Sequence, residues 1–239
     1  MTIDGANFNY TGTMSANDNI TVTVQYVNFV NAGFDKSTKS TNGNYNFNYC
    51  TFDGQGTYAY SITAKGANKI NINNCTVKDY VYGFLYVKTA VNTGVNVKDV
   101  LVENCPNYAV YFGSGAGAST VLENMTVKNS NAGVIYHNQT SARTFTMKNC
   151  IMEGVAVAVD GTGGTNTITC KLEGNLNNFG GATLGQTAEV TLINKDVTLA
   201  STKEDLNVVS GDTDYVVAYE GGVYKLVPGS VWNETQNKK

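Results

Sequence analysis

The chain has 239 residues, a formal net charge of −3, 42% hydrophobic residues and only 15% charged ones. That is enough apolar material for a large core. No Lys/Arg-rich run points to nucleic acid, and no stretch nears the roughly 18 apolar residues of a membrane helix, so neither a nucleic-acid partner nor membrane insertion is expected. Asn, Thr, Val and Tyr are plentiful beside 25 Gly and 2 Pro, a composition of strands and turns.

The chain opens M-T-I-D-G-A-N-F, with neither the basic nor the apolar region of a signal peptide. That fits a cytoplasmic protein or a piece of a longer secreted one. Ile3, Ala6 and Phe8 form an apolar triad, and Val24, Val27 and Phe29 repeat it. The next triads are anchored at Cys50, Cys75, Val100, Met125 and Cys150, each 25 residues after the last. Three positions before the anchors stand Phe47, Ile72, Val97, Leu122 and Met147; two positions after stand Phe52, Val77, Val102, Val127 and Met152. Apolar and polar residues alternate with period two in runs of four to six, which excludes helical repeats and predicts short strands. A fixed period of this length means stacked units. The expected fold is all-β, a parallel β-helix solenoid of about 25 residues per coil over residues 1–200.

Just before the anchors come Tyr49, Asn74, Asp99, Asn124 and Asn149. Asn tolerates the left-handed conformation that a bend needs, and stacked Asn can bond along the stack. Three residues past the anchors, Asp53, Lys78, Glu103, Lys128 and Glu153 alternate in sign, as a solvent-facing column should. The five cysteines are odd in number and lack C-x-x-C spacing. Cys50 and Cys75 would fall within disulfide range on adjacent coils, but free packed thiols are the expected state.

The other half of each coil is looser. Small residues (Ala59, Gly83, Ala109, Gly133, Ala156) precede Tyr60, Phe84, Val110, Val134 and Val157. Loops of variable length follow at one corner, F-D-K-S-T-K-S-T-N-G, G-S-G-A-G-A-S and D-G-T-G-G-T. Tyrosine is in surplus, and Tyr82, Tyr86, Tyr108, Tyr111 and Tyr136 fall in this half. Tyr86, Tyr111 and Tyr136 are spaced by 25. Facing outward they would form an aromatic strip suited to sugars or protein partners. If the small residues set the register, Tyr86, Phe112 and Tyr136 point inward instead. The small residues favour the inward register. His137 is expected in a loop or on the surface, because no Asp or nucleophile lies at a telling spacing. Asp160-Gly161-Thr162-Gly163-Gly164 reads as a turn rather than a cation site.

Beyond residue 200 the period is lost. Residues 201–239 read as a charged linker, a β-hairpin cap over 214–227 around Glu220-Gly221-Gly222, and a polar tail. At the other end Ile3 already lies in a strand, which predicts further domains of the same polypeptide before Met1, or a partner covering that edge.

The coil pattern I-N-N-C-T-V, V-L-E-N-M-T-V and M-K-N-C-I-M resembles the right-handed parallel β-helix (pectin-lyase-like) superfamily over roughly residues 1–200. The resemblance implies the right-handed form of the fold and, among enzymes of the family, Asp clusters with Arg, Lys or Gly-His-Gly motifs. None of these stands in this chain, which has one Arg, Arg143, and one His. The resemblance therefore points to a non-catalytic module of a bacterial surface or secreted protein, extracellular, without cofactor or metal. Its partner would be a polysaccharide or host glycan, bound at the loop edge and at Tyr82, Tyr86, Tyr108, Tyr111, Tyr136 and His137. The alternatives are a lyase or hydrolase of acidic polysaccharide using Asp35, Asp53 or Asp160, and a structural stalk.

Overall fold

The structure, a computed structural model, describes residues 1–16, 19–36, 43–64, 67–88, 94–113, 119–137, 143–161, 168–179, 190–194, 197–202, 204–206, 216–220 and 223–227. Among them the chain is all-β and winds as a parallel solenoid, with one short 3-10 turn at Leu176–Phe179. The first strand, β1 (Thr2–Met14), pairs in parallel with β2 (Thr21–Lys36). Long β2 bends through a whole coil, pairing in turn with β3 (Gly43–Asn48), β4 (Thr51–Asp53) and β5 (Tyr60–Ala64).

Each of these three founds a row. The first row continues through β6 (Ala67–Asn73), β9 (Gly94–Lys98), β12 (Thr120–Glu123), β15 (Arg143–Lys148), β18 (Ile168–Glu173) and β20 (Val197–Leu199). The second holds β7 (Thr76–Lys78), β10 (Leu101–Glu103), β13 (Thr126–Lys128) and β16 (Ile151–Glu153). The third holds β8 (Gly83–Val87), β11 (Tyr108–Phe112), β14 (Gly133–His137), β17 (Val157–Asp160) and β19 (Val190–Asn194). In the second row the period is literal: Thr51, Thr76, Leu101, Thr126 and Ile151 face one another in sequence.

The corners explain the repeat. Tyr26, Tyr49, Asn74, Asp99, Asn124 and Asn149 all have φ between 51° and 55°. One left-handed residue turns the chain while leaving extended strand on both sides. Asp79, Asn104 and Asn129 do the same just after β7, β10 and β13, as Asn31 does within β2 and Gly154 after β16, a second corner that the sequence reading did not isolate. The corner side chains bond along the stack: Asn124 Nδ2 donates to Asp99 Oδ1 at 2.8 Å, and Asn129 to Asn104 and Asn104 to Asp79, each at 3.0 Å.

The inward columns fill the tube. Val24, Phe47, Ile72, Val97, Leu122, Met147 and Leu172 form one continuous file of buried side chains. Phe29 and Phe52 stack at 4.5 Å with rings 5° from parallel. All five cysteines are free and buried; the Cys50 Sγ lies 3.4 Å from the Asn48 carbonyl and the Cys75 Sγ 3.3 Å from that of Asn73. The charged column also holds, with Lys78 to Asp53 at 2.9 Å and Lys128 to Glu153 at 3.5 Å. A second alternating file, Lys98, Glu123, Lys148 and Glu173, runs beside it.

The ends differ. The N-terminal triad is not a buried set: Ile3 is half-buried, but Ala6 and Phe8 are exposed, and the register shifts between Asp4 and Phe8. Among the described residues β1 pairs with β2 alone, which leaves these side chains uncovered on the other side. At the other end β21 (Val216–Glu220) and β22 (Val223–Val227) form the expected hairpin, and β22 pairs antiparallel with β19. The stretch expected to be a linker is docked at its start. Leu206 is buried in the core, Asp205 meets Lys171 at 3.2 Å and its carbonyl accepts the Gly174 N–H. The tail after Pro228 lies outside the described residues.

Candidate functional site

The three outer faces carry different chemistry. The first-row face is an amide and charge ladder: Asn71 donates to Asn46 at 2.7 Å, Asn96 to Asn71 at 3.1 Å, and Lys98 pairs with Glu123 at 3.4 Å. The second-row face is the charged column already described. The third-row face is tyrosine.

Its central column runs Asp35, Thr63, Tyr86, Tyr111, Tyr136, Asp160, each opposite the next across a strand pair. Tyr86, Tyr111 and Tyr136 are half-buried on the outer surface. The inward register favoured by the small residues is thus overturned for the tyrosines. The reason lies in the strand pairing: Gly83 faces Tyr60, and Gly133 faces Tyr108, so the small residues do not form one column. Phe112 does point inward, beside Val87 and His137.

A parallel column alternates Tyr60, Gly83, Tyr108, Gly133. Each glycine leaves space that a ring uses. A Cβ on Gly83 would lie 3.4 Å from the Tyr60 ring and one on Gly133 3.0 Å from the Tyr108 ring, and Gly113 gives the same room to Tyr86. The rings touch in sequence: Tyr60 to Tyr86 at 5.1 Å, Tyr86 to Tyr111 at 5.3 Å, Tyr111 to Tyr136 at 4.9 Å, Tyr136 to Tyr108 at 4.7 Å. Tyr82, 46% exposed, borders Tyr60 at 5.6 Å. The five tyrosines of the sequence reading therefore meet on one face, and Tyr60 joins them. The spacing did not announce it: Gly83, Tyr108 and Gly133 are spaced by 25, but Tyr60 stands 23 residues before Gly83.

Three hydroxyls on this face, those of Tyr60, Tyr86 and Tyr108, are held in the protonated form. Burial raises the Tyr60, Tyr86 and Tyr108 phenols above their ordinary range, with neighbouring tyrosines adding to the effect. Tyr108 also donates its hydroxyl to the Asp160 carboxylate. Protonated phenols are both donors and acceptors. The floor therefore offers apolar ring surface and hydroxyls.

His137 is not a loop or surface residue. It is fully buried as the last residue of β14, between the Phe112 ring at 6.3 Å and the Phe145 ring at 5.8 Å. Arg143 is buried beside it, its guanidinium carbon 4.2 Å above the Phe112 ring, and burial lowers its pKa to about 10. Strand alternation places Arg143 on the face of Phe145 and Met147, a signal that went unread. His137 does not reach the tyrosine face and leaves the candidate set.

The carboxylates are scattered. Asp53 is paired with Lys78 on the second-row face. Asp35 and Asp160 stand five strand spacings apart, about 24 Å. Paired glycosidase carboxylates stand no more than about 9.5 Å apart. Among the described residues no three His, Cys, Asp or Glu side chains gather as a metal site. A shallow polar groove of about 430 Å³ lies along the Asn corner between Asn74, Asp99 and Asn124, where Asn124 and Asp99 are already bonded to each other.

The loop segments 37–42, 114–118 and 162–167 lie outside the described residues. The chain matches no family model, no curated protein and no solved structure.

Proposed function

We propose that this chain is a non-catalytic β-helix module that binds glycan through the tyrosine face of its third strand row. One observation carries this. Six tyrosines are gathered on one outer face, while the other two faces carry Asn and ion-pair ladders that consume their own polar groups. Half-exposed aromatic rings bearing hydroxyls suit the C–H faces and hydroxyl rims of sugars. Membership of the pectin-lyase-like superfamily, and a place on a bacterial surface or in a secreted protein, belong to the same proposal. Among the described residues no helix is long and apolar enough to cross a membrane.

The test is a glycan array probed with the wild-type chain and with Tyr111→Ala. Removing one ring contact of about 1–1.4 kcal/mol corresponds to a roughly five- to tenfold loss of affinity. Circular dichroism of the variant controls for folding. A flat array for the wild type refutes the reading and leaves the stalk. Product release from pectin or alginate would instead favour the enzyme reading.

A further inference from the structure

We infer that the ligand of the tyrosine face is a neutral, extended glycan lying along the solenoid axis, each sugar meeting one coil. This rests on the glycan-binding reading above and specifies its substrate class and direction.

The geometry that carries the inference is the repeat along the face. Tyr60, Tyr86, Tyr111 and Tyr136 belong to four successive coils, and their ring centroids are separated by 5.1, 5.3 and 4.9 Å. For Tyr86, Tyr111 and Tyr136, which face one another across the strand pairs, that step is set by the strand spacing of about 4.8 Å, whereas Tyr60 faces Gly83 in the neighbouring column and flanks the first of them. An extended chain of equatorially linked pyranoses advances by nearly the same length per sugar. A glycan laid along the axis therefore stays in register over the three coils of Tyr86, Tyr111 and Tyr136, with Tyr60 flanking the first. One laid across the coils meets a single rung, with Asn and charge ladders beyond the corners.

The rings are not coplanar. Tyr60 and Tyr86 are tilted by 33°, Tyr86 and Tyr111 by 86°, and Tyr111 and Tyr136 by 40°. A ligand moving along the column thus meets ring faces and ring edges in turn, with a hydroxyl at each step. Such a surface distinguishes hydroxyl positions as well as offering apolar contact.

Charge fixes the ligand's polarity. Along this column the outward side chains from Thr63 to Tyr136 are uncharged, and the carboxylates of Asp35 and Asp160 stand at its two ends. The cationic groups of the ion-pair ladders are on the other faces, engaged with their own carboxylates. A polyuronate would bring one negative charge per sugar onto a floor whose described cation is the single Lys88, exposed just past β8, and like charge at both ends. A neutral chain pays neither penalty.

Calorimetry with β-1,4-linked gluco-, manno- and xylo-oligosaccharides, from disaccharide to hexasaccharide, tests length and charge against oligogalacturonates of equal size. For at least one neutral series, affinity should rise at least tenfold from disaccharide to tetrasaccharide and then level off, with the acidic series at least tenfold weaker. A nitroxide at the reducing end of the bound tetrasaccharide should broaden NMR signals at one end of the column, near Thr63 or near Asp160, and spare the other. Affinity independent of length, preference for the uronate, or uniform broadening along the column overturns the inference while glycan binding stands. No binding of any sugar removes both.

Discussion

Asn124 shows how much one residue does in this fold. Its backbone is left-handed at φ 51°, its N–H donates to the Lys148 carbonyl of the next coil at 2.8 Å, and its side chain donates to Asp99. The left-handed conformation costs an ordinary L-residue roughly 1–2 kcal/mol, and the amide bond adds about 1 kcal/mol. Asn124→Ala should lower stability by about 1–2 kcal/mol, whereas Asn124→Gly, which loses the bond but relieves the strain, should lower it less. Urea unfolding of the two variants checks the order. The buried thiols act in the same range. Burial pushes the Cys105 and Cys150 thiols up to about 11 from an ordinary value of 9.0. Both are neutral in the fold and ionise more easily once unfolded. Their contribution is complete below pH 9 and is lost as pH rises towards 11, by up to about 1.4 kcal/mol per pH unit for each thiol. The urea midpoint, measured under reducing conditions, should fall between pH 9 and 11. A midpoint that stays level across that range contradicts the burial of these groups.

At the scale of the element, the third row shows a strand pairing set by rings and glycines together. Gly83 lies so close to the neighbouring strand that an added Cβ would stand 2.1 Å from the Tyr108 carbonyl oxygen. A backbone atom cannot rotate away. Gly83→Ala should therefore push β8 from β11 and cost about 2–3 kcal/mol. It should also reduce glycan affinity, because the Tyr60 and Tyr108 rings move with their strands. A melting temperature within about 1 °C of wild type would show that this pairing is looser than described, since 1 kcal/mol corresponds to about 2–4 °C in a chain of this size. The strands of the second row were legible in full, because apolar alternation and the 25-residue period agree there. The third row was harder. Both its faces carry large residues, and Ala59 and Gly83 suggested a register one residue away from the one adopted. A slip of one residue exchanges inside for outside, so an error of that size moved Tyr86 and Tyr136 from surface to core.

For the whole molecule, the exposed edges of the stack are the main liability. The C-terminal hairpin turns the final pairing antiparallel, with β22 covering β19. Deleting residues 214–239 would bare the β19 edge, and unpaired edges template aggregation. The shortened chain should run as high-mass species in size-exclusion chromatography; a clean monomer would show that the hairpin is dispensable. At the other end, among the described residues, β1 pairs with β2 alone, and Phe8 is 47% exposed.

The sequence alone determined the period, the inward columns, the Asn corner, the charge file and the hairpin, because each depends on local alternation or on identity repeated at a fixed interval. The surroundings of His137, the burial of Arg143 and the outward course of the tyrosines were settled only in three dimensions. Each depends on which residue of one coil lies opposite which residue of the next, and that choice follows from packing rings against glycines across strands some two dozen residues apart.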